Sequence, residues 1–402
     1  MKQAEYQISL FDGDHKLTID KPIRLIELFA GYGSQALALK YLGANFEHWK
    51  ICEWAVKSIQ AYKDLHFGDD NTDYSAAKTQ DEVIDYLYSK GISTNYNEPM
   101  TIDQIKRLGE EKQRVIYNNL IATHNLVSVC NCHASDLEIS DTDKYTYIMT
   151  YSYPCQDCSS AGKRLGMEKG SGTRSSLLWE VERILDECNG NLPQILLMEN
   201  VPEVIGTNNS EHFSQWVAKL DSLGYKSKWE ILNAKDYGVP QNRARCFMVS
   251  WLGNYYYDFP TPIKLENRLK DVLETNVDEK YYLSDAMKKY IVSKDDKYRV
   301  SNGNLIVNRD IACSKTTREG CARADTSDYI SPDLMPNENI ANKNTLNYRI
   351  RKLTPKECGR LMGVRDKDID TIAVNQSNPS QYHLYGDSIV VDVLMAIFGQ
   401  ML

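Results

Sequence analysis

Three kinds of reactive side chain follow separate apolar runs in this sequence. Cys155 stands between a proline and a glutamine, Glu199 opens a Glu-Asn-Val tripeptide, and Arg243 and Arg245 alternate in Gln-Asn-Arg-Ala-Arg. A thiolate is a strong nucleophile, a carboxyl group whose pKa is raised by burial can donate a proton, and a guanidinium can hold an oxygen or a phosphate. The set predicts thiolate addition to an electron-poor ring.

Cytosine is a ring that suits this set. Its carbon 5 becomes nucleophilic only after a group adds to carbon 6, and the thiolate of Cys155 could be that group. Glu199 could protonate the ring nitrogen. Arg243 and Arg245 could hold the exocyclic oxygen and the neighbouring phosphate. The residues therefore predict transfer of a methyl group to carbon 5 by a covalent route.

Other interpretations of the same residues stay open. Cys155 and Cys158 form a CxxC pattern, which is typical of redox pairs, although no second pair follows at a zinc spacing. Cys130 and Cys132 could ligate a metal, but no matching half-site appears, so we interpret them as thiols beside a buried strand and expect no metal. Glu199 alone could be a capping acid, and the two arginines could be a solvated pair.

A glycine turn predicts a site for an adenosine-containing ligand. Residues 23–29 form an apolar run, and Gly31 and Gly33 follow it before helical spacing begins. Such a turn lets the backbone pass close to a ligand. Glu53 could accept hydrogen bonds from both ribose hydroxyls, and Trp54 beside it offers a flat face for adenine. A dinucleotide, S-adenosylmethionine and a purely structural turn all remain compatible with this pattern.

Strands alternate with helices in the first two thirds of the chain. Apolar runs at residues 23–29, 147–150, 194–198 and 246–250 predict buried strands, with helix-like stretches between them. The alternation predicts an α/β fold with a doubly wound, mostly parallel sheet. Ligands of such folds bind outside the carboxyl ends of the strands, which is where the motifs fall.

The polar segment at residues 67–129 interrupts this alternation. It contains two capping-box patterns, Thr79 with Glu82 and Thr101 with Gln104, and each predicts the start of a helix. We interpret the segment as an insertion that contains two helices.

Three parts are predicted along the chain. Residues 252–349 lack the alternation and contain as many basic as acidic residues, although the whole chain has a net charge of -8. We predict a catalytic domain at residues 1–251 and a smaller target-recognition domain at residues 252–381. Residues 382–402, which end in an apolar stretch of helical periodicity, are predicted to return to the first domain.

Composition favours a cytoplasmic protein. The chain has 10 cysteines and no signal-like start, which is typical of reduced thiols. No apolar run reaches the roughly 18 residues that a membrane span needs, so we expect no membrane contact. The acidic net charge argues only weakly against nucleic acid, because a cleft can carry a local field of the opposite sign.

In motif content and order, the sequence resembles the cytosine-C5 DNA methyltransferase family of bacterial or phage type. The matching segments are, in chain order, Phe29-Ala30-Gly31-Tyr32-Gly33, Glu53-Trp54, Ser135-Asp136-Leu137, Pro154-Cys155-Gln156, residues 174–179, Glu199-Asn200-Val201, Gln241-Asn242-Arg243-Ala244-Arg245, residues 351–355 with 360–363, and Gly386-Asp387-Ser388. The match covers the chain from residue 23 onwards, apart from the two irregular segments.

The resemblance implies an S-adenosylmethionine-dependent, Rossmann-like DNA (cytosine-5-)-methyltransferase. S-adenosyl-L-methionine is the implied methyl donor, S-adenosyl-L-homocysteine the product, and Cys155, Glu199, Arg243 and Arg245 the catalytic residues. In the family, the residue matching Asp136 contacts the adenine amino group. The implied cofactor-binding residues are Phe29, Ala30, Gly31, Gly33, Glu53, Trp54, Asp136, Pro154, Leu177, Asn200 and Ser388.

Two features depart from the family pattern. Asp387 stands where the family usually has Asn, at a position that the resemblance places near the methionine end of the cofactor. The segment at residues 67–129 is longer than expected between the second and third motifs, and the sequence assigns it no function.

The family resemblance also implies double-stranded DNA as substrate, with the target base turned out of the duplex. We expect the duplex between the two domains and expect a monomer. The predicted DNA-binding residues are Gln156, Ser159, Arg174, Thr316, Thr317 and Arg318. The basic side chain of Arg318 could pair with a guanine, although a solvated charge explains it equally well. A restriction-modification system with a cognate endonuclease, or an orphan or phage protective role, fits a bacterial or phage-infected cell.

Three rival functions fit parts of the same sequence. A tRNA cytosine methyltransferase would use the same scaffold, but that branch lacks a large recognition domain, and residues 252–349 favour a DNA enzyme. An inactive DNA-reading module would not need Cys155 and Glu199. A nicotinamide oxidoreductase would use the glycine turn alone.

Overall fold

The chain forms two compact units. The computed structural model describes residues 15–154, 174–292, 305–321, 327–341 and 343–402. Unit 1 comprises Met1–Leu232, Ala244–Thr261 and Leu394–Leu402, and unit 2 comprises Asn233–Arg243 and Pro262–Val393. The functional division into catalytic and recognition domains stays a prediction.

A six-stranded sheet is the centre of unit 1. Its strands are β1 Ile23–Leu28, β2 Phe46–Cys52, β3 Thr146–Tyr151, β4 Ile195–Asn200, β5 Tyr225–Asn233 and β6 Ala244–Leu252. Their order across the sheet is β2-β1-β3-β4-β6-β5. β1 pairs in parallel with β2 and β3, β3 pairs in parallel with β4, and β6 runs antiparallel to β4. The predicted doubly wound, mostly parallel sheet is confirmed.

Burial explains which strands the sequence revealed. All residues of β3 and β4 are buried, as are five of the six residues of β1, so these strands consist of near-continuous apolar runs. β2 and β5 lie at the two edges of the sheet and carry half-buried or exposed polar residues, such as His48 and Lys228. Neither edge strand was delimited from the sequence.

Seven helices accompany this sheet in the described part of unit 1. They are α1 Ser34–Leu42, α2 Val56–His66, α3 Gln80–Lys90, α4 Ile102–Arg107, α5 Glu110–Ala122, α6 Leu178–Glu187 and α7 Ser210–Ser222. Short 3-10 helices include Val129–Asn131, Ala134–Leu137, Arg174–Leu177 and Pro202–Ile205. The central core combines side chains such as Met149 of β3, Ile184 of α6 and Trp216 of α7.

The segment at residues 67–129 contains three helices rather than two. Thr79 and Thr101 form the two predicted capping boxes, with both reciprocal hydrogen bonds present in each. The third helix, α5, follows Gly109 and has no side-chain cap, so the sequence pattern did not reveal it. These helices bury their own apolar cluster against α2, which includes Ile59, Leu87 and Leu120.

Unit 2 combines short strands with small helices. Its helices are α8 Asp285–Val292, α9 Pro355–Leu361, α10 Asp366–Asn375, α11 Asn378–Gly386 and the first residues of α12 Val391–Phe398, which ends in unit 1. A four-stranded sheet contains, in spatial order, Glu338–Asn339, Ile306–Val307, Tyr329–Ile330 and Arg351–Lys352. Gln241–Asn242 pairs in parallel with Ala312–Cys313.

In unit 1, His15–Lys16 pairs in parallel with Tyr255–Tyr256. The eight cysteines within the described ranges are free thiols. Across the same ranges, none of the helices has the length and apolar character needed to cross a bilayer.

Candidate active site

The turn after β1 has an unusual backbone. Phe29, Gly31 and Gly33 have φ angles of 61°, 57° and 83°, and the left-handed region is strained for a bulky residue such as Phe29. A Cβ on Gly33 would lie 2.5 Å from Nε2 of His66, whereas a Cβ on Gly31 would meet no atom within 4 Å. Gly33 is therefore required for packing, and Gly31 leaves open space beside its backbone.

Glu53 is fixed at this turn. One carboxylate oxygen accepts a hydrogen bond from the backbone N–H of Gly31 at 2.8 Å, and the other accepts one from the N–H of Ala55 at 2.7 Å. The side chain of Asn125 holds the backbone of Glu53 from both sides, by accepting from its N–H at 3.1 Å and donating to its carbonyl at 2.9 Å. Sequence reasoning found Glu53 but missed Asn125, which follows the unpredicted α5.

A buried acid lies beneath the same turn. Glu27 of β1 is fully buried, and it accepts hydrogen bonds from the hydroxyl of Tyr62 at 2.6 Å and from the N–H of Ala36 at 3.3 Å. Burial raises the pKa of Glu27 to about 7, although the Tyr62 hydrogen bond opposes that shift. The Tyr62 hydroxyl also lies 2.9 Å from Nδ1 of His48, whose pKa burial lowers to about 4. No sequence motif indicated this network.

Asp136 and Glu53 both act electrostatically on Cys52, the last residue of β2. Asp136 belongs to the 3-10 helix Ala134–Leu137 and accepts a hydrogen bond from the N–H of His133 at 2.9 Å. The adjoining Cys132 thiol and burial raise the pKa of Cys52, and the charges of Glu53 and Asp136 raise it further.

Trp54 and Leu177, two further predicted cofactor residues, are half-buried. Trp54 packs against the cluster formed by α2 to α5, and Leu177 packs against the central core where α6 begins. Each of these side chains therefore packs partly against an apolar core.

The ends of β3 and β4 lie side by side. Asn200 of β4 is buried, and its amide donates a hydrogen bond to the carbonyl of Tyr153 at 3.1 Å, while its own oxygen accepts from the N–H of Val201. Pro154 is the last described residue before the predicted nucleophile. Cys155, Gln156 and Ser159 lie outside the described residues, and Arg174 opens the 3-10 helix Arg174–Leu177.

Glu199 and Arg245 form an ion pair beside this end of β4. Their nearest atoms, Oε1 of Glu199 and Nε of Arg245, are 3.2 Å apart, and the side chains are only 11% and 19% exposed. β4 and β6 are neighbouring antiparallel strands, so the pairing of the sheet sets this distance. The structure therefore brings together two of the residues that the sequence assigned to catalysis.

Arg243 has a different environment from Arg245. It lies in unit 2, where its guanidinium donates to the carbonyls of Lys315 at 2.6 Å, Ser388 at 2.7 Å and Gly386 at 3.2 Å. The side chain is 5% exposed. Backbone carbonyls of unit 2 thus accept hydrogen bonds from the guanidinium that was predicted to hold the substrate.

The predicted recognition residues lie on one loop of unit 2. Thr316 and Thr317 are half-buried, and Arg318 is exposed. Lys315 before them is buried, and its ammonium lies 2.6 Å from Asp328. In the same unit, Ser388, assigned to the cofactor, donates its hydroxyl hydrogen to the carbonyl of Tyr385 at 3.1 Å.

The sheet order and the acid after β2 define an α/β protein of the kind that binds adenosine-containing ligands at the carboxyl ends of its strands. Residues 115–402 match the family model for C-5 cytosine-specific DNA methylase. The chain belongs to this family of S-adenosylmethionine-dependent enzymes. The resemblance stated from the motifs is thereby confirmed.

Curated relatives agree with this assignment over nearly the whole chain. The type II methyltransferase M2.ScrFI of Lactococcus lactis subsp. cremoris is 34% identical over 94% of this chain and 99% of its own length. The orphan methyltransferase M.SssI of Spiroplasma monobiae is also 34% identical, over 94% of this chain and 97% of its own.

Solved structures show the same fold at lower identity. The Dnmt2 methyltransferase of S. pombe has a TM-score of 0.62 at 16% identity, with 94% of this chain and 97% of that chain covered. The Entamoeba histolytica methyltransferase EhMeth has a TM-score of 0.61 at 16% identity, over 94% and 98% of the two chains.

Proposed function

We propose that this chain methylates carbon 5 of a cytosine in a specific sequence of duplex DNA through a covalent bond between Cys155 and carbon 6. The observation that carries the proposal is the pair of Glu199 and Arg245, 3.2 Å apart, at the end of the strand beside the one that leads to Cys155. An acid and a cation there can meet a base that the nucleophile attacks.

Each residue has one task in this route. The Cys155 thiolate forms a bond to carbon 6 while Glu199 donates a proton to the ring nitrogen, which makes carbon 5 nucleophilic. S-adenosyl-L-methionine would supply the methyl group and leave as S-adenosyl-L-homocysteine. Loss of the carbon 5 proton to a base then breaks the bond to sulfur and regenerates the thiolate, and the ring nitrogen returns its proton to Glu199. Arg245 orients Glu199 and faces the exocyclic oxygen of the cytosine.

The turn after β1 fits the adenosine part of that cofactor. The space beside Gly31 is open, and two N–H groups hold the Glu53 carboxylate at this turn. A carboxylate is an acceptor that suits ribose hydroxyls. Phe29 and Asp136 would complete the adenosine site. The remaining proposed contacts are Ala30, Gly33, Trp54, Pro154, Leu177, Asn200 and Ser388. The route requires no metal.

The proposed DNA contacts are Gln156, Ser159, Arg174, Thr316, Thr317 and Arg318. A base must leave the duplex before a thiolate can reach carbon 6. By analogy with the type II relative M2.ScrFI, we propose a protective role in a restriction-modification system with a cognate endonuclease, with the enzyme acting as a monomer.

The decisive experiment compares Cys155→Ala with the wild type. The variant is expected to lose methyl transfer to duplex DNA by roughly three orders of magnitude or more, because the covalent step is removed. Its affinity for S-adenosylmethionine, measured by calorimetry, should stay within about twofold, and only the wild type should be trapped by 5-fluorocytosine DNA. Cys130→Ala, which removes an exposed thiol, is the matched control. Full activity of the Cys155 variant, or transfer to tRNA but not to DNA, would contradict the proposal.

A further inference from the structure

The loop at residues 314–320, called the 314–320 loop below, is anchored through the backbone of Lys315. The N–H of Lys315 donates to the side-chain oxygen of Gln241 at 2.8 Å, and its carbonyl accepts from Arg243 at 2.6 Å. Gln241 is fully buried and also donates to the carbonyl of Leu361 at 2.6 Å. Two residues of one motif thus hold the backbone N–H and carbonyl of a single residue of the loop.

The side chain of Lys315 is a second anchor. It is entirely buried, and its ammonium lies 2.9 Å from Oε1 of Glu319 and 2.6 Å from Oδ2 of Asp328. The same oxygen of Asp328 accepts from the N–H of Cys313 at 2.9 Å. Burial opposes the charge, but Asp328 and Glu319 outweigh it and raise the pKa of Lys315. Removal of one partner of such a buried pair leaves an uncompensated charge.

Close backbone packing supplies the third anchor. A Cβ on Gly386 would lie 2.1 Å from the carbonyl carbon of Thr316, so the loop rests directly on the end of α11. Arg243 joins these parts, because its other nitrogen donates to the carbonyls of Gly386 and Ser388. At the far end, Lys352 donates to the carbonyl of Gly320 at 2.7 Å.

This support leaves Arg318, in the middle of the loop, exposed. Thr316 and Thr317 are half-buried and Arg318 is exposed, while Lys315 and Glu319 on either side are buried. Burying an ion pair rarely adds net stability, but it can fix one conformation. Discrimination between bases by hydrogen bonds requires such fixed geometry, because donors must meet a base edge in one orientation.

We propose that Gln241, Arg243 and Lys315 are positioning residues for sequence recognition, which hold the 314–320 loop so that its exposed middle reads the target DNA in a single orientation. The inference rests on the proposed function, in which Thr316, Thr317 and Arg318 contact DNA. The motif that contains both arginines is thereby divided: Arg245 serves the chemical step, and Gln241 and Arg243 serve the choice of site.

The test measures site preference separately from catalysis. The wild type first methylates a library of DNA duplexes in which the sequence around each cytosine is random. Bisulfite sequencing of the products then gives its preferred site. The ratio of kcat/KM between that site and its single-base variants is then measured for Lys315→Met, Arg243→Lys and Arg318→Ala. Lys288→Met is the matched control, because Lys288 is also buried in unit 2 and lies 2.8 Å from an acid, Asp285.

Lys315→Met and Arg243→Lys are expected to lower the preference ratio about tenfold, the order of discrimination that one good base contact provides. For Lys315→Met, the value of kcat at the preferred site should stay within about threefold of the wild-type value, and Lys315→Arg should restore part of the ratio. Lysine at position 243 keeps the charge but cannot reach three carbonyls with a forked group. If Lys315→Met does not fold, the Arg243→Lys variant alone tests the positioning role.

The outcomes separate this inference from the proposal on which it rests. If Arg318→Ala lowers the ratio and the two support variants do not, the loop reads DNA but the positioning role is wrong. If a support variant loses kcat as much as Lys288→Met does and keeps its preference, the residues only stabilise the unit. If neither Arg318→Ala nor the support variants change the ratio, the assignment of the loop to DNA fails, and the inference fails with it.

Discussion

The Nε atom of Arg245 lies 3.2 Å from a carboxylate oxygen of Glu199, in a site where both side chains are largely shielded from solvent. The ion pair restricts the orientation of the carboxyl group, and neighbouring strands hold both backbones. A group that transfers a proton must be placed within hydrogen-bond reach of its target, so the pair is a preorganised acid site.

Replacement of Glu199 by Gln should slow the chemical step and spare binding. Gln cannot donate a carboxyl proton, so we expect kcat to fall roughly 10²- to 10⁴-fold, the usual contribution of a general acid. The KM for S-adenosylmethionine should change little. Single-turnover transfer of labelled methyl groups measures the effect, with Glu203→Gln on the following 3-10 helix as control. Equal rates for the two variants would remove Glu199 from the mechanism.

Glu53→Gln should weaken cofactor binding. The amide nitrogen of Gln would face the N–H of Gly31 or of Ala55, so one donor would oppose another. Hydrogen bonds to charged groups contribute about 1.5 to 3 kcal/mol, which corresponds to a Kd for S-adenosylmethionine raised roughly 10- to 100-fold. Calorimetry gives the Kd. Glu47→Gln, on the exposed side of β2, should bind as the wild type does, and a similar loss there would point to a change in the strand instead.

Gly31→Ala and Gly33→Ala should fail in different ways. Both positions have positive φ, which costs alanine roughly 1 to 2 kcal/mol. At Gly33 the new Cβ also meets His66 and Tyr62, so urea unfolding should show the larger loss of stability there. At Gly31 the methyl group enters open space, so the fold should survive while affinity for S-adenosylmethionine falls about tenfold or more. Wild-type affinity in Gly31→Ala would mean that the ligand lies elsewhere.

Glu27 should make the stability of the chain depend on pH. Its pKa rises from 4.5 in the unfolded chain to about 7 in the fold, so the native state binds more protons between these values and loses stability as pH increases through them. The whole shift amounts to about 3 kcal/mol. Relative to the wild type, Glu27→Gln should therefore gain most of that amount between pH 5 and pH 8.

Urea unfolding at the two pH values measures this difference. His48, whose pKa is lowered to about 4, acts in the opposite direction, because the unfolded chain binds more protons there. Its contribution is common to both proteins and cancels in the comparison. A pH-independent difference between Glu27→Gln and the wild type would show that Glu27 does not titrate as described.

Local patterns in the sequence were sufficient for the buried strands and the glycine turn. β3 and β4 are near-continuous apolar runs because both faces are covered, and Gly31 and Gly33 mark the turn because their positive φ angles favour glycine. β2 was not delimited because one of its edges is open and polar side chains are tolerated there.

Contacts between distant positions could not be predicted. Arg243 and Arg245 are spaced like residues on one face of a strand, yet the strand is interrupted at Arg243, and the boundary between the two units falls directly after it. Likewise, the hydrogen bond from Tyr62 to Glu27 joins residues of separate elements. Such pairs depend on how elements pack, which a pattern of residue types does not encode.

The bond between Asn125 and Glu53 links the stability of the helical segment to ligand affinity. Asn125 follows the last turn of α5, and both of its amide atoms hold the backbone of the acid after β2. A local opening of α3 to α5 would release that acid, so binding and opening are competing equilibria. By mass action, ligand binding would then suppress opening throughout this apolar cluster. The segment between the second and third motifs would thus contribute to cofactor affinity. Amide exchange in α5 would report on how much of the protein has cofactor bound.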